Sequence, residues 1–410
     1  MKILELEYYP KLTDKIISAS IERIQENQDK WEKPFFTDTS SYLDFEKIDN
    51  ITSQFPKDEI ENVIILGTGG SIQTVLALSH LVKKRLFSIT SSRAVELKRC
   101  LSQTEPSNSI VIPISRGGET LDVNSTIGIF LKNGYKILGL SSKGTMHDIL
   151  YRSGVPILDV PDLSGRFAGS ITNVGIVPAY FLGIDIESFL KGLKNGYEDY
   201  MVPEKNDSLN FACFLYEMFK KGYRVVFSMP YSYNLEGSVG LFVQEISESS
   251  GKEDKGLMGT FQEAPLCQHS VLEFLLGGSK GNVIPVLWTI ANEFPEVFLE
   301  SSIDFVDGKS AQTIVNYQAN ATFQALLEQK IPSGKVEINN PNEYNIGKLI
   351  AFIQSSVYYL CVLLDVNWSD NPKVNVGKKI CNEALKSRTS AEEFKTIREN
   401  LSKEKFSDFY

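Results

Sequence analysis

A chain of 410 residues exceeds one ordinary domain and suits two of roughly 150–200 residues each. It is 42% hydrophobic and 23% charged, the balance of a globular protein rather than a disordered one. Its 42 basic and 51 acidic residues give a net charge of −9, which repels phosphate backbones and argues against nucleic-acid partners, so any anionic ligand must be held by a local pocket.

The N-terminus has no basic region followed by an apolar run, and no signal peptide is expected. Residues 1–50 read as a polar helical arm, with Ile16, Ile17, Ile21 and Ile24 at helical spacing. From about residue 60, strand-like runs at 63–66, 110–114, 137–140 and 156–160 alternate with helical spacing at 71–83, 119–132 and 145–152. That alternation marks a parallel sheet covered on both faces. After a polar linker at 202–208, a second α/β block offers strands at 224–228 and 283–288 and a long helix at 311–330. The apolar stretch 349–364, interrupted by Gln354, Ser355 and Ser356, is shorter than the roughly 20 residues of a membrane span and reads as a buried core helix. A helix from about 373 to 386 follows, and Ser390 with Glu393 forms a capping box opening a charged terminal helix. The expected organisation is an arm (1–50), a first α/β domain (51–200), a second (201–370) and a C-terminal helical segment (371–410). The five cysteines lack CxxC spacing and read as buried thiols of a reducing compartment, and three histidines are too few for a His/Cys metal cage. A cytoplasmic protein without membrane partner, metal or cofactor is expected.

Two glycine-rich turns carry the first chemical signals. Gly67, Thr68, Gly69, Gly70 and Ser71 follow a strand and open a helix, where glycines let backbone approach a ligand and the helix N-terminus offers free N–H groups to an anion. A dinucleotide fingerprint would need glycine at position 72, occupied by Ile72, and an acid within 85–95, where none stands. Ser115, Arg116, Gly117, Gly118, Glu119 and Thr120 form a second such turn, with hydroxyls at both ends suited to one phosphate group. Each turn also has an ordinary reading, as a tight strand–helix connection or an N-cap. Both would lie at the carboxyl ends of parallel strands, where open α/β sheets bind ligands.

Further candidates are single side chains. Arg166, between Gly165 and Phe167, is either a structural ion pair or a charge aimed into a cleft. Gln244 and Glu248 are four residues apart and share one helical face near a glycine-terminated C-end. A carboxylate there opposes the helix dipole, which raises its basicity and suits a general base, although helical carboxylates are commonly just solvated. His269 stands before an apolar helix, and Lys378 lies in a late helix, where a solvated face is the ordinary reading.

Taken in order, these blocks resemble the phosphoglucose isomerase family, within the sugar-isomerase (SIS) domain superfamily. Gly67–Ser71 resembles that family's GIGGS turn, and 115–120 its SKxxTT phosphate loop and the SRSGET loop of sugar-isomerase domains. Gly165, Arg166, Phe167 and Ser170, with Gly183, Ile184 and Asp185, resemble its GGRxSxxSAVGL…GID stretch. Glu248 to Lys252 resembles its ES-x-GK signature, Gln268, His269 and Ser270 its QHS, and 374–379 its GVE-x-GK. Gly117 and Glu119 depart from the family's hydroxyl residues.

The resemblance implies an α/β fold of two flavodoxin-like SIS domains with parallel sheets flanked by helices, an active site in the cleft between them, and a homodimer in which the histidine reaches the neighbouring subunit's site. It implies interconversion of glucose 6-phosphate and fructose 6-phosphate without cofactor. Glu248 is implied as base and Arg166 as stabiliser of an enediolate, with His269 and Lys378 serving ring opening. Gly70, Ser71, Ser115, Arg116, Gly117, Gly118, Glu119 and Thr120 are implied to bind phosphate, and Gln244 to orient the sugar. An isomerase of another phosphosugar, such as mannose 6-phosphate, and a non-catalytic sugar-phosphate-binding regulator are the alternatives.

Overall fold

The structure, a computed structural model, describes residues 3–202, 204, 206–278 and 280–401. Eleven strands occur in the described residues: β1 (Leu4–Tyr9), β2 (Asn62–Leu66), β3 (Arg85–Ile89), β4 (Ser109–Pro113), β5 (Lys136–Ile137), β6 (Gly139–Leu140), β7 (Ile157–Leu158), β8 (Val225–Pro230), β9 (Met258–Phe261), β10 (Val283–Ile290) and β11 (Ser333–Ile338). One sheet has the order β3-β2-β4-β5, all parallel, and a parallel bridge from Ile114 to Leu140 continues it to the β6-β7 pair. The other has the order β1-β11-β10-β8-β9. Its β11, β10, β8 and β9 are parallel and β1 joins antiparallel. In both sheets the first strand of the α/β run (β2, β8) lies between its second (β3, β9) and third (β4, β10), the flavodoxin-like arrangement. The expected α/β fold with parallel sheets flanked by helices is present.

The central strands form where the sequence is continuously apolar. Val63, Ile64, Ile65 and Leu66 are fully buried, as strands covered on both faces require. Two expected strands are shorter than the apolar runs suggested: 137–140 divides into β5 and β6, and 156–160 contracts to β7. The expected helical arm needs correction as well. Its first residues are β1, whose alternating Leu4, Leu6 and Tyr8 pair it to β11. The helix Asp14–Asn27 is docked rather than free, with Ile17 and Ile24 buried. Its Arg23 Nε donates to Leu363 O at 2.7 Å and Asn27 Nδ2 to Val362 O at 3.0 Å. Those two carbonyls belong to the last turn of a helix, where Val362 O also accepts from the capping Asp365 N–H at 3.1 Å.

That helix, Glu343–Leu364, is the buried core helix expected at 349–364. It is long and apolar enough to cross a membrane by length and composition, yet its apolar window is wholly buried within the protein. Beyond it, Trp368 is fully buried among Phe36, Phe167 and Tyr358. The helix Tyr233–Ser250 lies directly on the helix Gly70–Ala77, because Gly237 has no side chain: a Cβ there would overlap the Leu76 carbonyl oxygen. This close approach brings the end of the first glycine turn beside Gln244.

Described residues through Ser369 form one compact unit and those from Asp370 another. The second holds the helices Asn375–Ser387 and Ala391–Leu401. The expected capping box is formed there: Ser390 N–H donates to Glu393 Oε2 at 2.6 Å and Glu393 N–H to Ser390 Oγ at 3.2 Å. All five cysteines are thiols outside any disulfide, but Cys381 in this unit is exposed, which corrects the expectation of uniformly buried thiols.

Candidate active site

Three of the expected side chains and the first glycine turn meet at one place. Glu248 sits in the last turn of Tyr233–Ser250, which ends at Gly251 as expected. Its Oε1 is 3.1 Å from Arg166 Nη1, with the arginine side chain 4% exposed and the glutamate 17%. One turn earlier on the same face, Gln244 Nε2 donates to Glu248 Oε2 at 3.1 Å. A Cβ built on Gly69, in the first glycine turn, would stand 3.3 Å from Gln244 Nε2. The carboxylate, the guanidinium, the amide and the turn are therefore neighbours.

Arg166 is held from three sides. Its Nε donates to Ser249 Oγ at 3.0 Å and its Nη2 to Trp368 O at 2.9 Å, in addition to the Glu248 pair. The adjacent Phe167 locks the short helix Gly165–Ala168 into the aromatic cluster, stacking on Phe36 at 4.9 Å between centroids and meeting Trp368 edge-on at 4.8 Å. A buried guanidinium with fixed donors is preorganised: it need not reorient when negative charge develops beside it. Of the two readings of Arg166 left open by the sequence, the structure shows the ion pair, and it is made to the candidate base.

The two glycine turns lie at the carboxyl ends of adjacent strands, β2 and β4, with Ile114 N–H donating to Leu66 O at 2.8 Å between them. Gly69, with φ +59°, precedes the helix Gly70–Ala77, whose N-terminus has no side-chain cap. The helix Leu121–Lys132 after the second turn likewise starts without one at Thr120. Uncapped N–H groups at two neighbouring helix starts suit an anion. Gly70 and Ser71 are partly buried, and Ser115 Oγ donates to Thr120 Oγ1 at 3.1 Å. In the second turn, Gly118 (φ +73°) leaves no room for a Cβ against the Lys143 carbonyl, whereas Gly117 is exposed with nothing within 4 Å of a built Cβ. The family's hydroxyl residue would fit at 117.

Glu119 has a different employment from the one its place in the loop implied. Its Oε1 accepts from Thr145 N–H at 2.8 Å and from Thr145 Oγ1 at 2.9 Å. The helix Gly144–Arg152 has no cap of its own from Lys143, so Glu119 supplies one from across the turn. This acid satisfies a neighbouring helix start, and it is engaged there rather than with the loop's own N–H groups. Arg116 is partly buried and lies close enough to Asp162 to help Lys143 hold that carboxyl below its ordinary value; the Lys143 bond, at 2.7 Å, is the larger cause.

His269 and Lys378 stand on other elements. His269 is exposed at the end of the short helical turn Leu266–His269. Gln268 anchors that turn, donating from Nε2 to Tyr231 Oη at 2.7 Å and to the Thr322 hydroxyl. Lys378 is exposed on Asn375–Ser387 in the second unit. Sequence reasoning missed Ser249 and the Trp368 carbonyl as partners of Arg166, and Thr145 as partner of Glu119. Ser249 lay inside a recognised motif, but no local pattern announces a contact between residues 166 and 368.

Fold and site together define a two-sheet α/β protein with paired glycine turns set against a carboxylate–guanidinium pair. Known proteins agree. The glucose-6-phosphate isomerase of Methanocaldococcus jannaschii is 26% identical over 348 residues, which cover 80% of this chain and 84% of that protein. The glucose-6-phosphate isomerase of Campylobacter jejuni is 24% identical over 355 residues, covering 81% and 87%. A crystal structure of a glucose-6-phosphate isomerase from Chlamydia trachomatis shares the fold, with a TM-score of 0.78 at 16% identity over 98% of this chain and 92% of that one. No family model matches the sequence. The resemblance to the phosphoglucose isomerase family carried by the motifs therefore extends over most of the chain.

Proposed function

We propose that this chain is an aldose–ketose isomerase that interconverts glucose 6-phosphate and fructose 6-phosphate through a cis-enediol(ate). The observation that carries the reading is the Gln244–Glu248–Arg166 cluster set beside the Gly69 turn. A sugar-phosphate regulator needs the anion turns but has no use for a carboxylate paired to a fixed guanidinium next to them. The relatives named glucose-6-phosphate isomerase favour glucose over mannose phosphate as substrate.

In this mechanism the backbone N–H groups at Gly70 and Ser71, with the turn from Ser115 to Thr120, bind the phosphate and hold the acyclic sugar beside Glu248. Glu248 takes the proton from C2 of the aldose and returns it to C1 of the ketose. Arg166 stabilises the negative charge that builds on the enediolate oxygens, and Gln244 orients both the carboxylate and the sugar. His269 and Lys378 move the ring-oxygen and hydroxyl protons during opening. Every step is a proton transfer between substrate and side chain, so no cofactor enters. An exposed His269 fits a site completed by a second subunit, which makes the working unit a homodimer with composite sites. The division into domains at 51–200 and 201–370, each carrying one sheet, and a place in cytoplasmic sugar-phosphate metabolism belong to the same proposal.

Ser115→Ala combined with Thr120→Ala removes the hydroxyl pair of the phosphate loop. Losing hydrogen bonds to a charged ligand is expected to raise KM for fructose 6-phosphate by about tenfold or more, with the fold retained by circular dichroism. An unchanged KM would remove this loop from the site. The reading as a whole is tested by supplying fructose 6-phosphate and following glucose 6-phosphate with a coupled dehydrogenase. Formation of product supports it, and absence of product while fructose 6-phosphate still binds would favour a regulator.

A further inference from the structure

Behind the Arg166–Glu248 pair lies a carboxyl group that the mechanism does not use. Glu245 is 1% exposed, on the same helix as Glu248 and about 60° around it. Its Oε1 accepts from Gln354 Nε2 at 2.8 Å, and its buried Oε2 has no hydrogen-bond partner. Tyr197 Oη donates to Gln354 Oε1, which fixes the amide so that its NH2 faces Glu245. The titratable groups that face Glu245 are Arg166 from the helix Gly165–Ala168, Tyr197 from the helix Ile186–Tyr200, and Glu248 from its own helix. The core helix Glu343–Leu364 presents the neutral Gln354.

Charge counting makes this position consequential. Arg166 carries one positive charge and Glu248 one negative, and proton abstraction moves that negative charge onto the enediolate as Glu248 becomes neutral. An ionised Glu245 would put another anion in the same buried region, with one oxygen unsatisfied, and would compete for Arg166. We propose, on the reading of Glu248 as base and Arg166 as enediolate stabiliser, that Glu245 is a positioning residue that stays protonated during turnover, leaving the charge of Arg166 undivided for Glu248 and the intermediate. Burial is the main cause that raises its pKa, to about 8, with the neighbouring Glu248 charge adding and the Gln354 bond and Arg166 opposing. The neutral form therefore prevails below that value and is lost above it. Activity should decline on the alkaline side as Glu245 releases its proton.

The test is the pH dependence of kcat for fructose 6-phosphate isomerisation between pH 6 and 9 in the wild type and in Glu245→Gln, which freezes the neutral form. The wild type is expected to lose about tenfold between the neutral plateau and pH 9, the order expected for one added charge near the intermediate at an intermediate effective dielectric. In E245Q the same ratio should fall to about twofold or less. A merely structural role would not alter the shape of the profile, so superimposable profiles would overturn the proposal and leave Glu248 untouched. Gln354→Met supplies a second route if E245Q does not fold. Removing the N–H that favours the charged form should move the alkaline limb to higher pH, and an unmoved limb would overturn the proposal equally. Should E245Q be inactive at every pH while Glu248→Gln remains active, the base itself would be Glu245, and both the proposal and the reading beneath it would fall.

Discussion

Replacing Glu248 with Gln is expected to lower kcat by about 10³-fold, the scale of removing a positioned general base. The substitution keeps the size of the side chain and leaves an oxygen to accept from Gln244 Nε2, a bond of 3.1 Å in the native protein. It removes the charge that faces Arg166 Nη1. Arg166 retains Ser249 Oγ and the Trp368 carbonyl, so its position should hold. With its counter-charge gone, the guanidinium attracts an anionic substrate at least as well as before, and KM should stay level or fall. A loss confined to kcat marks an interaction made in the transition state rather than in ground-state binding. Glu245→Gln, three residues earlier, should lose far less at neutral pH. Steady-state kinetics of the two variants, with circular dichroism to show that both are folded, checks this. Reversed phenotypes would mean that the family motif is misaligned along this helix.

The second large effect is complementation between subunits. His269 is exposed in its own chain, whereas Glu248 is largely buried and paired. If His269 serves the neighbouring site, His269→Ala and Glu248→Gln homodimers should each be nearly inactive. A heterodimer of the two contains one site with neither substitution and one with both. Isolated with two different affinity tags, it should show about half the wild-type kcat per dimer, a rise of about 10²-fold or more over either parent. Activity no higher than the better parent would mean that each subunit builds its site alone.

What the sequence revealed and what it concealed follow one physical rule. Central parallel strands are covered on both faces, so β2 and β4 stand out as apolar runs. Strands at sheet edges need not be apolar throughout, and β1, β3 and β9 escaped notice: Arg85 is exposed, Met258 is 62% exposed, and β1 alternates Leu with Glu. β11 was hidden differently. It buries Lys335, whose Nζ reaches Asn320 Oδ1 at 2.8 Å and Glu337 at 3.3 Å, a charge pattern that reads as surface until its partners are known. The site was legible where chemistry is local, as with the glycine turns and the i, i+4 pair Gln244–Glu248. It was illegible where partners are distant in sequence, as with Arg166 and Trp368, or Glu245 and Gln354. The role of Glu119 could not be read either, since its partner Thr145 belongs to another helix.

The central claim, proton transfer by Glu248 through an enediolate, is tested most directly by running the reaction in D2O. Fructose 6-phosphate is converted by the wild-type protein and the glucose 6-phosphate formed is examined by NMR at C2. The expected result is deuterium at C2 at early conversion, because a proton held on a carboxylate exchanges with solvent before it returns, with Glu248→Gln forming product and incorporating label about 10³-fold more slowly. Full conversion with hydrogen retained at C2, at a rate unchanged in E248Q, would contradict it.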